Sequence, residues 1–103
     1  MKVNTDNLKG RCAFVSGATG GIGRAIAIAL AEEGCDLFIT STTNSSLQQV
    51  VNSLKKYNVR VAACSGDLSN EEEIKNIVKC VKENFKGVDI LINSAGIFPN
   101  EDL

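Results

Sequence analysis

The 103-residue chain has no histidine and no tryptophan, and only one proline, one methionine and one tyrosine. Without histidine neither a Ser-His-Asp nor a Cys-His nucleophile can be assembled from these residues. Four cysteines, Cys12, Cys35, Cys64 and Cys80, stand 23, 29 and 16 positions apart with no CxxC pair. Common zinc spacings therefore fail, and buried, reduced thiols are the simplest reading. Charge of one sign is also missing: 11 basic residues face 12 acidic ones with no basic block, so nucleic acid is not an expected partner. The apolar run Ala25 to Ala31 is too short to cross a bilayer, and Met1 to Asp6 has no apolar signal core. No membrane partner is expected, and the cytoplasm is the default location.

What is present alternates between two periods. Arg11 to Ser16 is a short, mostly apolar run suited to a strand buried on both faces. Ile22, Ala25, Ile26, Ala29 and Leu30 then follow the spacing of one apolar helix stripe, stopped by Gly34. Asp36 to Ser41 is aromatic and β-branched, which predicts a second strand. Thr42 to Ser45 offer a turn and a helix N-cap, and Leu47, Val50, Val51 and Leu54 predict the second helix. Val59 to Cys64 reads as strand three. Ile74, Ile77, Val78, Val81 and Phe85 line a third helix, capped by Ser69 or Asn70 and ended by Gly87. Glu71, Glu72 and Glu73 suit the dipole of its first turn. Val88 to Asn93 predicts strand four. The order β-α-β-α-β-α-β with short loops predicts an α/β fold of Rossmann type: a parallel sheet with helices on both faces and strand order 3-2-1-4. Residues 1–103 form one partial dinucleotide-binding domain in this reading.

The run Ser16-Gly17-Ala18-Thr19-Gly20-Gly21-Ile22-Gly23 leaves the first strand and opens the first helix. Glycines can serve there only as a junction, but they also let the backbone turn tightly and approach a pyrophosphate while helix-end N–H groups face the anion. No Gly-Lys-Ser or Gly-Lys-Thr follows, which excludes a Walker phosphate loop. An NAD site needs a carboxylate near the end of strand two to accept from the ribose 2′-hydroxyl, and that charge repels a 2′-phosphate. Here the strand ends in Thr40, Ser41 and Thr42, and Asp36 lies five residues upstream, roughly 16 Å away. Ser41 and Thr42 can donate to a phosphate, so NADP is favoured over NAD. Asp89 falls at the far end of strand four and reads as structural.

The spacing Ser16-Gly17-x-x-x-Gly21-x-Gly23, with Asp67-Leu68 and Asn93-Ser94-Ala95-Gly96, resembles the short-chain dehydrogenase/reductase family over almost the whole chain. Ser16 stands where the family has threonine, and Ser94 where it has a second asparagine. The resemblance implies that Asp67 and Leu68 meet the adenine and that Asn93, Ala95 and Gly96 border the cofactor. Gly17-x-x-Gly20-x-x-Gly23 also fits the extended, sugar-nucleotide-modifying branch, but the Asn93 to Gly96 turn favours the shorter reductases. Leu8 to Arg11 and Thr40 to Thr43 look most like 3-oxoacyl-[acyl-carrier-protein] reductases. The resemblance further implies hydride transfer to a small-molecule or acyl-carrier substrate in a homo-oligomer, using a Tyr-x-x-x-Lys pair and a serine. Tyr57 has no lysine four residues on. The expectation is therefore a cofactor-binding N-terminal portion, inactive alone and marginally stable, with a non-catalytic nucleotide-binding remnant as the rival.

Overall fold

The computed structural model describes residues 8–94. Four strands, β1 (Cys12–Ser16), β2 (Asp36–Ser41), β3 (Val61–Ser65) and β4 (Ile90–Asn93), alternate with helices α1 (Gly21–Glu32), α2 (Asn44–Leu54) and α3 (Glu71–Asn84). All pairings are parallel, in the order β3-β2-β1-β4. This is the expected doubly wound architecture, in which successive crossovers on one side of β1 reverse to the other at β4.

Helices α1 and α2 cover one face of the sheet. Its core is Ala13, Val15, Leu37, Ile39, Leu47, Val50 and Leu54, with Ala27 and Ala31 from α1. The other face carries Cys12, Phe14 and Phe38 beneath α3, joined by Ile77 and Phe85. Phe14 and Phe38 stack at 5.6 Å, and Phe85 meets Phe38 edge-on at 6.5 Å, both favourable ring geometries.

Several boundaries differ from the sequence expectation, each for a local reason. The inward stripe of α1 is Gly23, Ala27 and Ala31, with Ile28 and Leu30 packed beside it. Ile22 is 48% exposed, and Ala25 and Ala29 face outward. At the start of that face Gly23 lies against the Gly17 carbonyl, where a larger side chain has no room, and Ala27 and Ala31 pack in the sheet core. Helix α2 begins at Asn44, and the Thr43 side chain makes no capping bond. Strand β3 begins at Val61, two residues later than predicted: the Arg60 N–H is taken by the Asp36 carboxylate at 2.9 Å, and the ladder starts only where Leu37 N–H reaches the Arg60 carbonyl. Helix α3 stops at Asn84, since Phe85 turns extended to put its ring under Phe38. Its Asn70 cap is as expected, the side chain accepting from Glu73 N–H at 3.1 Å.

Asp89 plays the structural part its position suggested: it accepts from Cys12 N–H at 2.9 Å and lies 3.8 Å from Arg11. Burial pushes the Cys12 and Cys35 thiols up to about 11, so both remain protonated fillers of the core. Among the described residues no helix is long and apolar enough to cross a membrane, and no group of three metal-ligating side chains gathers.

Candidate functional site

Parallel strands bring their C-terminal ends to one edge, and there the three loops after β1, β2 and β3 converge with β4. They enclose a cleft of about 540 Å³, within the usual size of a small-molecule site. Of the residues predicted from sequence, Ser16, Gly17, Thr19, Gly20, Ser41, Thr42, Asp67, Leu68 and Asn93 line it. Ala18 is fully buried behind the turn, Gly21 and Ile22 are exposed in the first turn of α1, and Gly23 is buried in its packing face. Ala95 and Gly96 lie outside the described residues.

The glycine turn has two positions at which only glycine serves. Gly17 adopts φ +67°, a conformation costly for residues with a Cβ. At Gly23 an added Cβ would lie 2.1 Å from the Gly17 carbonyl oxygen and 2.6 Å from Ser94 Oγ. The turn is further held by Gly20 N–H to the Gly17 carbonyl at 3.1 Å and by Ala18 N–H to the Thr40 carbonyl at 3.2 Å. Gly20 precedes α1 in an extended conformation without a side-chain cap, and the first turn has no acidic residue. The N–H groups that open α1 are thus without a competing carboxylate, the arrangement that suits a phosphate.

Ser16 and Asn93 are register partners across β1 and β4. The Ser16 hydroxyl donates to Asn93 Oδ1 at 2.9 Å, which fixes the amide at the cleft floor. Ser94, 2% exposed, donates from its hydroxyl to the Ser16 carbonyl and lies 3.3 Å from the Gly17 carbonyl. The serine that departs from the family pattern therefore ties β4 to the turn. Thr19 Oγ1 and Ser41 Oγ meet at 2.9 Å, bridging the turn to the end of β2.

Among the described residues Asp67 is the one carboxylate of the cleft lining, and none of them there is lysine or arginine. Its oxygen accepts from Ser69 N–H at 2.9 Å and from the Ser69 hydroxyl at 2.7 Å, and these bonds hold its pKa below the usual aspartate value. Asp67 thus closes a local turn with Ser69, while capping of α3 falls to Asn70. Asp36 sits at the opposite end of β2, as expected.

Thr40, Gly66 and Ser69 also line the cleft, although the sequence reading does not place them among the cofactor-binding residues. Thr40 Oγ1 is buried without a hydrogen-bond partner, a costly condition for a hydroxyl unless a ligand completes it. Its signal was available in principle: Thr40 is the register partner of Ser16, so it shares the Ser16 edge of the sheet. The orphan hydroxyl, the glycine turn that a Cβ would fill and the uncapped start of α1 all suit a polar, phosphate-bearing ligand such as a dinucleotide.

Known proteins share this fold. Residues 11–103 match the family model described as short chain dehydrogenase. An oxidoreductase of Staphylococcus aureus, itself uncharacterized, is 41% identical over 96 residues, covering 93% of this chain and 39% of that protein. The 3-oxoacyl-[acyl-carrier-protein] reductase of Vibrio cholerae is 41% identical over 91 residues, covering 88% of this chain and 36% of that protein. Among solved structures, L-sorbose reductase from Gluconobacter frateurii, complexed with NADPH and L-sorbose, superposes with a TM-score of 0.85 at 33% identity, covering 91% of this chain and 36% of that one. The chain thus spans well under half the length of these relatives.

Proposed function

Since this chain belongs to the short-chain dehydrogenase family, we propose that its cleft binds a nicotinamide dinucleotide, with NADPH preferred, and that the chain is the cofactor-binding portion of a carbonyl reductase. The observation that carries the cofactor preference is the rim after β2. Thr19, Ser41 and Thr42 present hydroxyls there, and the carboxylate that would reject a 2′-phosphate is missing from it. The nearest acidic residue on β2, Asp36, is engaged with Arg60 N–H at the other end of the strand.

In this reading the turn from Gly17 to Gly20 and the first turn of α1 hold the pyrophosphate, and Gly23 keeps α1 close enough to do so. Ser41 and Thr42 receive the 2′-phosphate, Asp67 and Leu68 border the adenine, and Asn93 floors the cleft on its β4 side. Ala95 and Gly96 follow Asn93 in the same family turn. When bound, the cofactor supplies a hydride for a carbonyl or withdraws one from an alcohol. A 3-oxoacyl thioester is the proposed substrate, supported by the likeness to the V. cholerae reductase.

A second reading, nucleotide binding without catalysis, is favoured by one observation. Tyr57 packs against the α1/α2 core with Lys56 over its ring, and it does not line the cleft. Residues 8–94 therefore offer no tyrosine for proton donation at the site. The proposal assigns binding to this chain, and reduction to a protein that also carries a Tyr-x-x-x-Lys pair.

Calorimetric titration of the chain with NADPH and with NADH tests the cofactor assignment. Tighter binding of NADPH is expected, with Thr42→Asp reversing the preference. Equal or tighter binding of NADH by the unaltered chain would overturn it.

A further inference from the structure

Cys64 and Cys80 are 16 positions apart in sequence, one on β3 and the other on α3, yet their Sγ atoms lie 3.2 Å apart with the Cys80 thiol donating to Cys64. Both are free and half-buried, whereas Cys12 and Cys35 are 5% and 0% exposed. Strand β3 ends the sheet beyond β2, so the pair sits beneath the outer flank of α3, within reach of small solutes. A disulfide requires an S–S distance of about 2.05 Å, so an approach of roughly 1 Å between helix and strand, or a change of rotamer, would close it.

We propose that Cys64 and Cys80 form a redox-active dithiol that closes reversibly to an intramolecular disulfide on exposure to a low-molecular-weight disulfide such as oxidised glutathione. One protein thiolate attacks a sulfur of oxidised glutathione, forms a mixed disulfide and releases one glutathione. The second protein thiolate then attacks the protein-bound sulfur and releases the other. Two protein thiols give up two electrons and two protons, and one small disulfide becomes two thiols. Burial, followed by the neighbouring Cys80 thiol, pushes Cys64 up to about 11, so closure is slow at neutral pH. Selectivity rests on proximity.

The bond would act where the chain is already tied by weaker contacts. Cys64 lies two residues before Gly66, whose added Cβ would meet Ile77 Cδ1 at 2.8 Å, and Ile77 is one helical turn before Cys80. Asp67 N–H donates to Glu73 Oε1 at 2.6 Å. A disulfide would therefore tie together β3 and α3, the two elements that flank the loop carrying Gly66, Asp67, Leu68 and Ser69 along the cleft. This inference does not depend on the identity of the cleft's ligand.

The test is to incubate the 103-residue chain with oxidised glutathione, alkylate the remaining thiols and map the tryptic peptides, since Lys75 and Lys79 allow cleavage between the two cysteines. The expected product is a monomer about 2 Da lighter before alkylation, with Cys64 linked to Cys80, Cys12 and Cys35 alkylated, and dithiothreitol then freeing only the Cys64 and Cys80 thiols. Cys80→Ser should instead retain a glutathione adduct on Cys64, and Cys64→Ser one on Cys80. If either variant fails to fold, the map of the unaltered chain still decides. Four alkylated cysteines, persistent glutathione adducts without closure, links through Cys12 or Cys35, or chain-to-chain bonds would each overturn the proposal.

Discussion

The two faces of the sheet are finished differently. Beneath α1 and α2, Ala13, Val15, Leu37 and Ile39 are each 0% exposed, and small residues on α1 let the helix lie close. Beneath α3, the aromatic stack of Phe14, Phe38 and Phe85 fills the middle, but Leu91 on β4 is 71% exposed and Val78 on α3 is 44% exposed. An apolar groove of about 590 Å³ runs between them. The cleft edge is thus braced chiefly from the covered face and from β1, through Gly23, Ser94 and the Thr19–Ser41 contact. The open face contributes the loop between β3 and α3.

Truncation on the two faces should have unequal effects. Leu37→Ala removes a fully buried side chain and should cost about 2–5 kcal/mol, seen as a lower urea midpoint or outright loss of cooperative unfolding. Leu91→Ala, on the open face, should shift the midpoint by less than about 0.5 kcal/mol. Similar losses for both would break the comparison.

Alkaline titration sharpens it differently, because each face holds one buried thiol. Unfolded chains release the Cys12 and Cys35 protons near pH 9, whereas the folded state keeps them until about 11. The unfolded state therefore binds fewer protons between those values, and stability should fall as pH rises through that window. A loss on the order of 1–3 kcal/mol per thiol is expected, and urea midpoints measured from pH 8 to 11 would show it. Cys35→Ala and Cys12→Ala should each flatten part of the slope.

Gly23→Ala tests the bracing itself. Its Cβ would press on the Gly17 carbonyl, so roughly 1–3 kcal/mol of stability should be lost, together with dinucleotide binding, as measured by melting and titration. A smaller loss is expected at the α3 cap, where Asn70→Ala should cost about 1 kcal/mol by removing the bond to Glu73 N–H, again read from the urea midpoint.

Much of this was legible in the sequence because several local signals agree. The bounds of β2 follow from an unbroken aromatic and β-branched run, the inward stripe of α2 from its spacing, and the parallel order from the βα alternation. Other features were hidden because they depend on partners far away along the chain. The inward face of α1 differs from the predicted stripe because burial of Gly23 and Ala27 depends on contact with the turn and the sheet, which periodicity does not carry. The start of β3 was displaced by a side chain on β2. Pairing of Ser16 with Asn93, burial of Thr40 at the cleft and the meeting of Cys64 with Cys80 all require the sheet register or the docking of α3. Spacing alone carries none of that information.

The most direct test of the central claim is amide chemical-shift mapping of the chain during NADPH titration. The account predicts saturable shifts at Gly17, Thr19, Gly20, Ser41, Thr42 and Asp67, with the opposite end of the sheet, around Gly10, Arg60 and Asp89, unchanged. Shifts centred on that opposite end or on the α3 groove, or none at all in a chain that unfolds cooperatively, would contradict it.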